Sequence, residues 1–133
     1  MERGEPNSLP ARPAERQRRS VDAPCSGSGT WRRNPEARWR LDEAGVDRLV
    51  ALQRHVLGIA APLVRPGGRL VYVTCSLLDE EGAGQVDQFL AAHAGWRANP
   101  PALPLGSARG QGIRLSPFHV GTDGFFIARL EKP

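Results

Sequence analysis

The two cysteines, Cys25 and Cys75, are the residues of this chain whose surroundings point most directly to chemistry. Cys25 lies in Asp22-Ala-Pro-Cys-Ser-Gly-Ser-Gly-Thr30, whose proline, glycines and small polar residues are typical of a loop with close backbone approach. Cys75 directly follows a short apolar run. A thiolate is a strong nucleophile, so either cysteine could form a covalent intermediate. The alternative for both is an inert, packed thiol.

The net charge of the 133-residue chain is +4, and arginine carries nearly all of the positive charge, since Lys132 is the only lysine. Guanidinium groups suit phosphates and base edges, which favours a nucleic-acid partner, although the codon bias of a GC-rich genome would also enrich arginine. No apolar run could cross a bilayer or act as a signal peptide, so we expect a cytoplasmic protein with free thiols and no membrane partner. The cysteine and histidine spacing predicts no metal site.

A basic segment follows the Cys25 loop, and two tryptophans are interleaved with its arginines. This pattern suits phosphate contacts combined with base stacking on an opened RNA. A solvated basic face beside one or two core tryptophans is the alternative for each arginine. The arginines are Arg32, Arg33, Arg38 and Arg40, and the tryptophans are Trp31 and Trp39.

The elements that would position these groups alternate between helix and strand. Apolar residues at three- and four-residue steps predict an amphipathic helix over about 41–63, and a second helix is expected over about 84–93. The apolar run of 69–74 after a Gly-Gly turn predicts a strand buried on both faces. Two further strands, 113–116 and 124–130, predict a terminal antiparallel hairpin. The fold class is therefore α/β, with helices packed on parallel central strands.

The first 20 residues differ in composition from the rest of the chain. They are rich in Pro, Arg, Glu and Ser, with Leu9 as the only sizeable apolar residue, and cannot bury enough surface to offset the entropy of ordering. We therefore predict a disordered arm over 1–20 and a single domain over 21–133.

Three separated segments resemble the Rsm/NOP/Sun type of RNA cytosine-5 methyltransferase, in the same order and with similar spacing. They are Asp22-Ala-Pro-Cys-Ser-Gly-Ser-Gly-Thr30, Val73-Thr-Cys-Ser-Leu77 and Gly121-Thr-Asp-Gly-Phe-Phe126. The likeness extends from Val21 to Lys132. It implies the C-terminal part of a Rossmann-like sheet, S-adenosyl-L-methionine as the methyl donor, and RNA, with ribosomal RNA expected, as the substrate.

The resemblance also implies roles for individual residues. Cys75 would attack C6 of a cytosine, and Cys25 would assist release of the methylated base. Asp22 would lie on the cofactor side of the pocket, unless it only caps the loop. A rival assignment makes Cys25 the nucleophile, since the related DNA enzymes attack from a Pro-Cys motif. The two thiols could also simply lie close together and pair under oxidation.

The chain departs from the family pattern at two places. A complete member has a glycine-rich loop and an acidic residue upstream of Asp22 for the methyl donor, and nothing between Met1 and Val21 resembles either. This predicts a partial catalytic domain without the N-terminal cofactor-binding half. An inactive remnant, or a subunit completed by a separate chain, are the alternatives. In addition, Glu80-Glu81-Gly82-Ala83 replaces the family's Glu-Glu-Asn-Glu, which is expected to weaken a helix start.

Overall fold

A computed structural model describes residues 17–30, 42–103, 105–116 and 123–133. Its strands are β1 (Arg18–Asp22), β2 (Arg69–Thr74), β3 (Arg97–Ala98), β4 (Ser107–Arg109), β5 (Gly112–Leu115) and β6 (Phe125–Glu131). Its α-helices are α1 (Glu43–Ala60) and α2 (Ala83–Ala92). Short 3-10 turns cover Ser28–Thr30, Ala61–Leu63 and Asp79–Glu81.

The strands form one mixed sheet in the order β1-β2-β6-β5-β4, and β3 also pairs with β6. β1 and β2 are parallel, whereas β2, β3 and β5 each pair with β6 in the antiparallel sense. The predicted α/β class and the terminal hairpin of β5 with β6 are thus confirmed. The centre of the sheet is mixed rather than parallel, because the last strand inserts beside β2 in the opposite direction.

Helix α1 matches the predicted amphipathic helix closely. It begins after Asp42, whose carboxylate accepts a 2.7 Å hydrogen bond from the backbone N–H of Gly45. The helix passes into the 3-10 turn at Ala61, where Pro62 removes a backbone donor. Helix α2 lies where the second helix was expected and, consistent with the weak start, its cap residue Gly82 provides no side-chain hydrogen bond. Of the helices in the described ranges, none has the length and apolar content to cross a membrane.

The core lies between one face of the sheet and the two α-helices. Side chains from β1, β2, β6, α1 and α2 contribute to it, and Tyr72 meets the ring of Phe126 edge to face. The buried apolar residues are Val21, Ala23, Leu57, Ala61, Val64, Leu70, Tyr72, Val86, Phe89, Phe126, Ala128 and Leu130. Because both helices pack on this face, they fix how the strand ends are placed.

Strand β2 is not buried on both faces, contrary to the sequence-based expectation. Leu70, Tyr72 and Thr74 are fully buried, whereas Val71 and Val73 on the other face are only half-buried. The reason is that both described α-helices cover the same side of the sheet. The opposite side presents a row of half-exposed apolar side chains.

Strand β1 begins three residues earlier than the predicted boundary between arm and domain. Arg18, Arg19 and Ser20 pair in parallel with residues 69–71 of β2, although their side chains are exposed. The backbone N–H of Arg69 also donates to the carbonyl of Gln17 at 2.9 Å. Backbone pairing at a sheet edge does not require apolar side chains, which is why composition alone placed these residues in the arm. The rest of the predicted arm, 1–16, lies outside the described residues.

Candidate active site

The two cysteines meet at one edge of the sheet. Cys25 follows β1 and Cys75 directly follows β2, and the carboxyl ends of neighbouring parallel strands lie side by side. The N–H of Ala23 continues the pairing by donating to the carbonyl of Val73 at 3.0 Å. As a result the two sulfur atoms are 3.4 Å apart, and both side chains are half-buried. The structure therefore brings together the two residues that the sequence singled out.

Serine hydroxyls bind the Cys25 loop to the segment after Cys75. Ser28 Oγ accepts a 2.8 Å hydrogen bond from the N–H of Leu77 and lies 3.2 Å from Ser76 Oγ. The N–H of Gly29 donates to the carbonyl of Cys75 at 3.0 Å. These bonds hold the loop against the end of β2, so the two thiols are fixed by their neighbours rather than by their own contact.

The carboxylate of Glu81 is completely buried beside both cysteine motifs. Its Oε1 accepts hydrogen bonds from Ser26 Oγ at 2.6 Å and from Ser76 Oγ at 2.5 Å. Its Oε2 accepts from the backbone N–H of Ser26 at 2.8 Å and from Gln53 Nε2 at 3.0 Å. One side chain thus joins the loop after β1, the segment after β2 and helix α1.

Two further buried side chains support this arrangement. Gln53 of α1 also donates a 2.8 Å hydrogen bond to the carbonyl of Pro24, the residue before Cys25. The hydroxyl of Tyr72 donates to the backbone carbonyl of Glu81 at 2.7 Å. The serines, Gln53 and Glu81 were not identified from the sequence. The only available signal was the acidic pair at 80–81 after the Thr-Cys-Ser segment, which does not reveal which carboxylate faces inward.

The third motif reaches the site through backbone contact. The N–H of Gly124 donates to the carbonyl of Gly29 at 2.7 Å, and a Cβ on Gly29 would lie 2.0 Å from the carbonyl oxygen of Gly124. Phe126 of this motif is buried and packs in the core. The start of β6 is therefore pressed against the Cys25 loop at a place where only glycine fits.

Burial raises the pKa of the Cys25 thiol to about 12, and the side chain of Cys75 acts in the same direction, whereas hydrogen bonds from the Gly27 and Cys75 backbones oppose it. Cys25 therefore keeps its proton near neutral pH, and can donate it to the sulfur of Cys75 at the observed 3.4 Å.

Of the other predicted site residues, Asp22 alone lies within the described part of the chain. Asp22 is the last residue of β1, is exposed, and shares with Val73 the sheet face opposite the core. The four arginines predicted to bind RNA, Arg32, Arg33, Arg38 and Arg40, lie outside the described residues.

Comparison with known proteins identifies the family of the chain. Residues 9–131 match the family described as 16S rRNA methyltransferase RsmB/F. The chain belongs to this family. It is 45% identical over 114 residues to the ribosomal RNA small subunit methyltransferase B of Thermus thermophilus, covering 84% of this chain and 28% of the relative. A probable methyltransferase B from Synechocystis is 43% identical over 117 residues, covering 84% and 26%.

A solved structure also superposes on this member of the RsmB/F family. It is NSun6 from Pyrococcus horikoshii with SFG, with a TM-score of 0.74 and 30% identity over 85% of this chain and 29% of that chain. The chain thus spans about a quarter of the length of the curated relatives it matches.

Proposed function

We propose that this chain is the cytosine-reacting part of a cytoplasmic RNA cytosine-5 methyltransferase acting on ribosomal RNA, with Cys75 as the nucleophile and Cys25 assisting release. The observation that carries the proposal is the 3.4 Å separation of the two thiols at the carboxyl edge of β1 and β2. Ligands of open α/β sheets bind at this edge. The matched family and its relatives, named as rRNA methyltransferases, support the substrate class.

The two thiols can assist the two difficult steps of the reaction, which are the activation of C5 and the release of the methylated base. C5 of cytosine is a poor nucleophile until Cys75 adds to C6, which forms an S–C6 bond and moves the ring's π electrons onto C5. In the complete enzyme, S-adenosyl-L-methionine would supply the methyl group to C5, and its sulfur would leave with the bonding electron pair. Transfer of the C5 proton to water then returns the electron pair to the ring and breaks the S–C6 bond, so that Cys75 leaves as thiolate. Cys25 lies close enough to that sulfur to assist this exit.

The two neighbouring thiols can share a proton during the reaction. Burial raises the pKa of the Cys25 thiol, and the thiolate is the reactive form of cysteine. A proton held on Cys25 can be shared with the Cys75 sulfur when it departs from C6. The choice of Cys75 over Cys25 as the attacking group rests on the family resemblance, and the adduct experiment below tests it against the rival assignment, in which Cys25 attacks.

The described residues do not fit S-adenosyl-L-methionine by themselves. In the described part of the sheet β1 is an edge strand, and Asp22 is the one acidic side chain within that strand. S-adenosyl-L-methionine would supply the methyl group in the complete enzyme, where Asp22 would lie on its side of the pocket. We therefore propose that this chain alone does not bind it at micromolar concentration, which isothermal titration calorimetry would test.

The basic segment is proposed to bind the RNA backbone through Arg32, Arg33, Arg38 and Arg40. Each Arg→Ala substitution that removes a bond to a phosphate should reduce the slope of log affinity against log salt by about one. Substitution of the exposed Arg54 of α1 provides a control of the same charge change outside this segment. Equal slopes for both sets would argue for a solvated basic face.

A subunit completed by a separate chain is the second candidate, and the half-exposed sheet face favours it. Val71, Val73 and Ile127 form part of an apolar surface that the described helices leave uncovered. Co-expression with the preceding three-quarters of the Thermus thermophilus relative should then restore methyl transfer to RNA. Failure of both this pair and a covalent fusion of the same two parts would favour an inactive remnant.

The nucleophile is tested in such a fusion, a complete enzyme in which this chain replaces the matching quarter of the Thermus thermophilus relative. RNA containing 5-fluorocytosine lacks the C5 proton that release requires, so it should trap a protein–RNA adduct that survives denaturing electrophoresis. Cys75→Ala should abolish the adduct. Cys25→Ala should retain it and should accumulate adduct even with ordinary RNA. An adduct that survives in Cys75→Ala but disappears in Cys25→Ala would overturn the assignment.

A further inference from the structure

We propose that Glu81 is a positioning residue that sets the separation of the Cys25 and Cys75 thiols by holding the residue that follows each of them. The inference rests on the proposed function, which gives the two thiols their chemical roles. Ser26 and Ser76 come directly after the two cysteines, and both hydroxyls donate to the same oxygen of Glu81, at 2.6 and 2.5 Å.

The bonds to Glu81 restrain backbone as well as side chains. The backbone N–H of Ser26 donates to Oε2 of Glu81 at 2.8 Å, so the peptide that carries Cys25 is itself fixed. On the other side, Ser76 Oγ accepts a 3.0 Å bond from the N–H of Leu78, which anchors the turn after Cys75. The two cysteine motifs are thereby joined through a single carboxylate, independently of the sulfur–sulfur contact.

The backbone of Glu81 is also held in place. The Tyr72 hydroxyl donates to its backbone carbonyl at 2.7 Å, and its own N–H donates to the carbonyl of Leu78 at 3.0 Å. Gln53 of α1 contributes the remaining bond to the carboxylate at 3.0 Å. With both backbone and side chain restrained, Glu81 can transmit the rigidity of β2 and α1 to the two thiols.

The energetics of burial support a geometric role rather than one in stability. All four donors to the carboxylate are neutral groups, and burying a carboxylate without a cationic partner is costly even when hydrogen bonds are made. What the carboxylate supplies is two acceptors at a fixed spacing. A glutamine can make the same four bonds, because serine hydroxyls can accept from an amide NH₂ as readily as they donate to a carboxylate oxygen.

The test measures how readily the two thiols of this chain reach each other, and it requires neither RNA nor methyl donor. Equilibration with oxidised glutathione converts the two thiols and one glutathione disulfide into a Cys25–Cys75 disulfide and two molecules of reduced glutathione. The equilibrium constant reports the effective concentration of one thiol at the other. Mass spectrometry after acid quenching gives the oxidised fraction at each glutathione ratio.

We expect Glu81→Ala to lower this constant by about tenfold or more, equivalent to about 30 mV for a two-electron couple. Glu81→Gln should stay within about threefold of the wild type, since its amide can replace the hydrogen bonds. The matched control is Leu130→Ala, which opens the core beside Leu70 at the far end of β2 from Cys75. It should lower the melting temperature without changing the constant.

Three results would overturn the proposal. One is an unchanged constant in Glu81→Ala, another is an equal loss in Glu81→Gln, and the third is an equal loss in the Leu130→Ala control. If Glu81→Ala does not fold, Ser26→Ala decides the matter, since it removes one bond to the carboxylate and should still lower the constant severalfold, whereas no change would reject the role. Because this equilibrium involves no methyl transfer, its failure is distinguishable from failure of the adduct test for Cys75.

Discussion

The sulfur atoms of Cys25 and Cys75 lie 3.4 Å apart although the residues are 50 positions apart in the chain. This is a hydrogen-bond distance and is well beyond the length of a disulfide bond, about 2.05 Å. In the reduced state one thiol is therefore hydrogen-bonded to the other. Several measurable properties of the chain depend on this pair and on the buried groups around it.

Alkaline pH should destabilise the fold through Cys25. Its pKa is about 12 in the folded chain but about 9 when exposed, so the folded state keeps a proton that the unfolded state loses. Stability is complete below about pH 9 and falls as the pH rises towards 12. By pH 10 the loss should be on the order of 1 kcal/mol at most, because solvent partly screens the half-exposed thiol. Urea unfolding at pH 8 and pH 10 under reducing conditions measures it.

Cys25→Ser is the control for this pH dependence, since a serine hydroxyl does not titrate in this range. It should show a smaller fall between pH 8 and pH 10 than the wild type. Equal falls in both proteins would mean that Cys25 does not carry the effect.

Tyr72 should ionise at a higher pH in the folded chain than in the unfolded one. Burial raises its pKa, and the neighbouring carboxylate of Glu81 adds to the shift. Because it is the only tyrosine in the chain, the near-ultraviolet absorbance of tyrosinate follows it directly. Glu81→Gln should lower the midpoint without returning it to the ordinary value near 10, since burial is the larger cause. A normal midpoint in the folded wild type would contradict the buried position.

Two glycine-to-alanine substitutions should have opposite effects on stability. Gly29→Ala places a methyl group against the backbone of Gly124 and should cost about 2 kcal/mol or more. Gly58→Ala, in α1, meets nothing within 4 Å and should stabilise by about 0.5–1 kcal/mol. Urea denaturation of both variants provides the comparison. A tolerated methyl group at Gly29 would show that the Cys25 loop is not pressed against β6.

The ion pair of Asp79 with Arg109 should anchor the β4 hairpin to the turn after Cys75. Arg109 donates to both carboxylate oxygens of Asp79, at 2.9 and 2.5 Å, and thereby lowers the pKa of this carboxyl. The resulting stabilisation is present above the ordinary pKa near 4 and is lost as the pH falls through the lowered value. Arg109→Ala should raise the Asp79 midpoint in a carboxyl NMR titration.

Salt provides the control for this ion pair, because both side chains are partly exposed. The stability difference between the wild type and Arg109→Ala should shrink in high salt and at acidic pH. A difference that changes with neither condition would point to packing of the arginine stem instead.

The sequence predicted the elements whose burial pattern is regular. The periodicity of α1 follows directly from side chains that face the core, and the apolar run of β2 predicted a strand although only Leu70 and Tyr72 of that run face the core. β4 and the first residues of β1 carry exposed side chains, so their pairing through backbone hydrogen bonds has no counterpart in hydrophobic pattern. The half-burial of Val71 and Val73 could not be predicted from the sequence either, because it depends on which face of the sheet α1 and α2 pack against.

At the candidate site, the cysteines could be selected from the sequence because thiols in small polar motifs are uncommon. The buried side chains that hold them in place could not be selected in this way. Glu81 faces inward and Glu80 outward because of the 3-10 turn over Asp79–Glu81, which no local pattern predicts. In the sequence, Gly82 is a departure from the family pattern that is expected to weaken a helix start. The structure adds a second consequence: a Cβ there would lie 2.9 Å from the ring of Phe126. The roles of Cys25, Cys75 and Asp22 remain predictions.

Strand β6 pairs with β2, β3 and β5, so the middle of the sheet is supplied by a strand that follows all of its partners in the chain. Before residues 125–131 leave the ribosome, β2 lacks one neighbour and the β4–β5 hairpin has nothing to join. Contacts between such distant parts of the chain form slowly. A nascent chain should therefore remain sensitive to protease until β6 has left the ribosome, and the two thiols would gain the backbone support of Gly124 only then.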